Sequence, residues 1–87
     1  MRKMYTSILK GFFYQSLIQR RAALHMTQSE MAELLAMDER SYIDLDHGKT
    51  CCSAVTLALF IAFVCEDVFQ FTEDLRHAFN ACKENVA

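Results

Sequence analysis

The chain runs for 87 residues without a proline and with only two glycines, Gly11 and Gly48. These two residue types are the strongest local breaks available to a polypeptide, marking turns and ending helices. A chain with so few of them has few places to turn and should be mostly helical. Its length fits one domain, and residues 1–87 show no repeat, linker or low-complexity tract. A domain of this size buries roughly 60–65% of the surface its unfolded chain exposes, so a partner subunit would add stability. Apolar residues make up 53% of it, somewhat above the ~45–50% of ordinary globular chains.

Hydrophobic spacing divides the chain into five helices. Phe13, Leu17 and Leu24 fall on one stripe of the first, with residues 1–11 as its N-terminal extension. Thr27 and Glu30 have the spacing of a capping box, in which each side chain satisfies the other's backbone amide. Met31, Ala32 and Leu35 form the buried stripe of the helix that follows. Asp38 can cap a third helix, with Tyr42 and Leu45 facing inward. Gly48 suits the left-handed residue that ends it. Thr50 or Ser53 starts a fourth helix, in which Leu57, Phe60, Ile61 and Val64 line one face. Val55, Leu59 and Phe63 make its other face apolar too, so both sides need cover. Asp67 caps a fifth helix with Gln70 at the capping-box position, and Val68, Phe71, Leu75, Phe79 and Cys82 recur along it as a seam.

Charge is unevenly placed about a net of −2. Residues 1–26 carry Arg2, Lys3, Lys10, Arg20 and Arg21 and no acid. Residues 27–50 carry Glu30, Glu33, Asp38, Glu39, Asp44 and Asp46 against Arg40 and Lys49. Nucleic-acid binders usually show a basic face, and this chain offers a basic N-terminal end.

Several features carry less than they suggest. Gly48-Lys49-Thr50 resembles the end of a phosphate loop, but Ile43 stands where that motif needs its first glycine. Cys51, Cys52, Cys65 and Cys82 form no C-x-x-C pair, and no H-x-x-x-H accompanies them, so no metal site is expected. Buried thiols acting as small hydrophobes are the simpler role. No nucleophile, base and orienting group can be assembled, so neither an enzyme nor a cofactor is expected. The start MRKMYTSILKGFF lacks a secretory cleavage pattern, which fits a cytoplasmic chain with reduced thiols. Residues 54–65 are too short for the ~20 residues that span a bilayer, and no membrane partner is expected.

The segments RRAALHMTQ, the small Ala32, LAM at the turn and LDHGKT after the third helix resemble the lambda-repressor-like (Cro/C1-type, XRE) helix-turn-helix family over about residues 13–71. That resemblance implies an all-α, five-helix domain, with the helix-turn-helix at 27–48 and a long C-terminal helix within the helices of 53–84. His25 and Ala36 stand where the family often has glycine. The resemblance places Gln28 at the start of the second helix against phosphate, and Glu39, Arg40, Ser41 and Asp44 on the groove-facing side of the third. It places Lys49 and Thr50 beside the backbone, and pairs Arg21 of the first helix with Asp46 of the third as a structural salt bridge.

The functional expectation is a small DNA-binding transcriptional regulator, acting as a homodimer on double-stranded DNA. Arg40 can pair with guanine, while Glu39 and Asp44 can accept from the cytosine amino group. The same carboxylates repel phosphates, whose neutralisation supplies much of the affinity. The alternative is a protein-interaction module of the same fold that no longer binds DNA. The dimer face is expected on helices four and five, through Leu59, Phe63, Val68, Phe71, Leu75 and Phe79.

Overall fold

The computed structural model describes residues 2–86, with side chains through residue 81. Five α-helices follow one another: α1 (Arg2–Leu24), α2 (Gln28–Leu34), α3 (Glu39–Asp46), α4 (Ala54–Leu59) and α5 (Val68–Val86). A π-helical turn, Phe60–Val64, continues α4. There is no strand among the described residues. The fold is all-α, as the scarcity of proline and glycine required.

Residues 2–11 extend α1 at its N-terminal end as one continuous helix. Gly11 is exposed inside this helix, at a conformational cost of about 1 kcal/mol relative to alanine. Packing against α5 offsets that cost. Tyr5 meets Phe79 edge-on at 5.3 Å between ring centres, and Phe12 meets Phe71 at 5.2 Å. Phe60 joins them, 5.1 Å from Phe13 and 5.4 Å from Phe71. Around these rings the core gathers Leu17, Met31, Ala32, Leu35, Tyr42, Leu45 and Val64. The expected stripes of α2 and α3 are all within it. Leu24, expected beside Phe13 and Leu17, is exposed at the end of α1.

Three helices end in the same way. His25 N–H donates to Ala22 O and Met26 N–H to Arg21 O after α1. Ala36 and Met37 repeat the pattern onto Glu33 and Ala32, and Gly48 and Lys49 onto Leu45 and Asp44. This is the Schellman arrangement, whose pivot takes a left-handed backbone. The pivots have φ of 55° at His25, 56° at Ala36 and 71° at Gly48. Only one of the three is glycine. The chain therefore makes two of its turns with side chains that adopt this conformation at a cost.

The fourth helix departs from a simple amphipathic rod. Cys65 N–H donates to Phe60 O at 2.8 Å, a five-residue step. The Val64 carbonyl, freed at the end of this wider turn, accepts from Arg20 Nε at 3.0 Å, and Arg20 also reaches Glu66. Ser53, and not Thr50, caps α4 by accepting from the Thr56 amide. Phe60 and Val64 are buried, while Val55 is 68% exposed and Phe63 is 66% exposed.

Candidate nucleic-acid interface

The stretch beginning at Thr27 forms two short helices with a tight turn between them. The capping box is complete: Thr27 Oγ1 accepts from the Glu30 amide, and Glu30 Oε1 accepts from the Thr27 amide at 2.8 Å. These bonds favour the charged carboxylate and hold the Glu30 acid below its ordinary range. Asp38 caps α3 through the Ser41 amide and hydroxyl, and those bonds lower its acid in the same way. Both helices of the pair thus begin on side-chain caps written locally in the sequence.

Asp46 fixes α3 to the rest of the domain. Its carboxylate is only 4% exposed. It accepts from Arg21 Nε at 3.4 Å and Arg21 Nη2 at 3.2 Å, the forked contact that suits a guanidinium. Gln28 Nε2 donates to it at 3.0 Å, and so does the Tyr42 hydroxyl at 3.0 Å. One acid therefore ties α1, α2 and α3 together. Burial pushes the Tyr42 phenol well above its ordinary range, and the neighbouring Asp46 carboxylate adds to the shift. No buried side-chain polar atom lacks a partner among the described residues.

With Asp46 turned inward, the opposite side of α3 is open. Glu39, Arg40 and Ser41 are exposed, and Asp44 is half-buried. Lys49 and Thr50 are exposed just beyond the helix. The structure therefore groups Glu39, Arg40, Ser41, Asp44, Lys49 and Thr50 along α3 and the loop that leaves it. Gln28 is the exception among the expected contacts, since its amide is engaged with Asp46. Ser41 already donates to Asp38, which leaves its hydroxyl as an acceptor. Arg40 offers five donors and has no carboxylate partner among the described residues.

The expected dimer face divides in two. Phe71 is buried in the domain's own core, against Phe12 and Phe60, because α5 packs along α1. It is unavailable to a second chain. Phe79 meets Tyr5, and Leu75 is half-buried. Leu59 is half-buried, while Phe63 and Val68 are exposed, together with Phe69 at 75%. The side chain of Cys82 lies outside the described residues. Gln70 does not close a capping box at α5: Asp67 accepts from the Gln70 amide, but the Gln70 side chain donates to Asp74.

The thiols are half-buried at Cys51, Cys52 and Cys65. Burial, with Cys51 beside it, pushes the Cys52 thiol up to about 12, and burial also raises Cys65. Among the described residues there is no group of three or more His, Cys, Asp or Glu placed to hold a metal ion. No described helix is long and apolar enough to cross a membrane.

Two contacts join residues that the sequence reading leaves unpaired. Tyr42 lies four residues before Asp46, a helical step that sequence spacing could have paired. Arg20 caps a carbonyl far along the chain, and no side-chain pattern announces a backbone partner. No protein-family model matches this chain, and no curated protein or solved structure matches it either.

Proposed function

We propose that this protein is a small DNA-binding regulator of the helix-turn-helix kind, with α3 as the reading helix and two copies acting together. The observation that supports this is the open side of α3, with Arg40 unpaired among the described residues while Asp46 anchors the helix from behind. An element held rigidly at its back and free at its front can enter a major groove. Arg40 would donate in pairs to guanine, and Glu39 would accept from cytosine. Lys49 and Thr50 would hold the backbone, which fixes register without reading sequence.

A dimer would double the cationic contacts and set the two α3 helices about one duplex turn apart, ~34 Å. The exposed Phe63, Val68 and Phe69, with Leu59 at the edge of the core, are the face offered for it. Selection from random duplex DNA at low salt, run beside a mass measurement, tests the proposal. It should enrich one motif, with half-sites one turn apart. Arg40→Ala should abolish that preference while leaving the fold intact. Failure of the wild type to bind any duplex at low salt would overturn it.

A second reading draws on one observation. Glu30, Glu33, Asp38 and Glu39 are all exposed on α2 and α3. They outnumber Arg40 and Lys49 and disfavour a polyanion. Under that reading the same surface takes a basic protein partner, and the selection experiment returns no motif.

A further inference from the structure

The loop that leaves α3 lies along the first half of α1, running antiparallel to it. At one end Gly48 faces the Tyr14 ring, whose Cγ stands 3.5 Å from the position a Cβ would take. At the other end Cys51 Sγ lies 3.9 Å from the Thr6 carbonyl oxygen. Thr6, Lys10 and Tyr14 are spaced four residues apart, so they share one side of the helix. Lys49 and Thr50, between the two anchor points, are thereby set alongside Lys10. Lys3 is seven residues before Lys10 and returns to the same side two turns earlier.

Lys3 and Lys49 are exposed and Lys10 is half-buried. None of the three meets a carboxylate among the described residues, where the ion pairs are Arg20–Glu66, Arg21–Asp46 and Arg76–Glu73. Sequence places these lysines at opposite ends of the first 49 residues, and the anchored loop brings Lys49 to the half of α1 that carries Lys10 and Lys3.

The geometry points to this row, Lys49, Lys10 and Lys3, as a phosphate-binding track on which the backbone of a duplex held at α3 continues along α1. The inference rests on α3 being the DNA-contacting element. The track begins where α3 ends, because the Lys49 amide donates to the Asp44 carbonyl at 2.9 Å. From Lys10 to Lys3 the helix rises about 10 Å at 1.5 Å per residue. That matches about three nucleotides of one strand at ~3.4 Å each. The track also answers the charge problem of α2 and α3. The acids surround the base-reading surface, while the phosphate contacts are supplied from α1 and the loop.

Binding of the full chain to a random-sequence duplex, measured from about 50 to 200 mM salt, tests the track. Log affinity should fall linearly with log salt. Each of Lys3→Gln, Lys10→Gln and Lys49→Gln should reduce that slope by about 0.9. Arg76→Gln removes the same charge from α5, outside this row, and should leave the slope unchanged. Unfolding curves for each variant identify any slope change that comes from lost structure. If Arg76→Gln and the lysine variants lower the slope equally, the track is overturned in favour of net charge alone. It is also overturned if the lysine variants change nothing while Arg40→Ala still abolishes recognition of the selected motif. Lysine effects on anionic phospholipid vesicles without effects on duplex binding would overturn it as well. If the lysine slopes fall as expected but no motif is enriched and Arg40→Ala has no effect, the track stands and sequence reading by α3 does not. Absence of duplex binding at about 50 mM salt overturns both.

Discussion

Asp46→Ala is the substitution to which this domain should be most sensitive. The carboxylate is almost fully buried and accepts from Arg21 twice, from Gln28 and from Tyr42. Removing it strands a guanidinium whose side chain is only 27% exposed, a buried phenol and an amide. Breaking a buried pair from one side costs about 3–5 kcal/mol, because the remaining charge is left uncompensated. A chain of this length has roughly 4–13 kcal/mol of total stability. The loss should therefore lower the melting temperature by about 15–30 °C, or abolish folding. Arg21→Ala should cost less, about 2–3 kcal/mol, since Gln28 and Tyr42 still donate to Asp46. Gln28→Ala should cost about 1 kcal/mol. Urea unfolding of the three variants gives the ranking, and the Arg21/Asp46 double variant gives a coupling of about 1–3 kcal/mol. A cost below about 1 kcal/mol for Asp46→Ala, or a larger cost for Gln28→Ala, would refute the view that Asp46 joins the three helices.

Three further outcomes follow from the backbone and the thiols. Ala36→Gly should stabilise by about 0.5–1 kcal/mol, because relief of the left-handed strain exceeds the extra chain entropy of glycine. A loss of similar size in urea unfolding would contradict it. Gly11→Ala should add about 0.5–1 kcal/mol, since the helix is continuous there and the space beside Gly11 is open. An unchanged or lower midpoint would mean that α1 is not continuous through residue 11. Cys52, its thiol raised to about 12, should be alkylated by iodoacetamide at pH 8 far more slowly than a free cysteine. Rapid modification at Cys52 in a mass-mapped digest would show that the thiol is not shielded.

What was legible in the sequence was local. Thr27 and Asp38 mark helix starts because a cap is a contact over three residues, and spacing alone reveals it; for α4 spacing left Thr50 and Ser53 both open. Apolar periodicity gave the buried stripes of α2 and α3 for the same reason. The ends of helices were harder to read. His25 and Ala36 take a conformation that glycine would advertise, and nothing in their side chains does so. The α5 seam was legible only as an apolar face, because periodicity does not say what covers it. At Phe71 the cover is α1 of the same chain. The π-helical turn was also out of reach, since the Val64 carbonyl is taken by Arg20 from far along the chain.

On the candidate surface, Glu39, Arg40, Ser41, Lys49 and Thr50 are exposed and Asp44 is half-buried. Gln28 did not join them, because a longer-range demand, the buried Asp46, captured its amide. Lys3 and Lys10 were visible only as scattered charge until the loop at 48–51 was seen against α1.

The most direct test is an amide-resolved NMR titration of the chain with its selected duplex at low salt. Shifts should be largest at Glu39 to Asp44 and at Lys49, with weaker changes reaching Lys10 on α1. Changes confined to α5, or an unperturbed α3 at saturating duplex, would contradict a reading role for that helix.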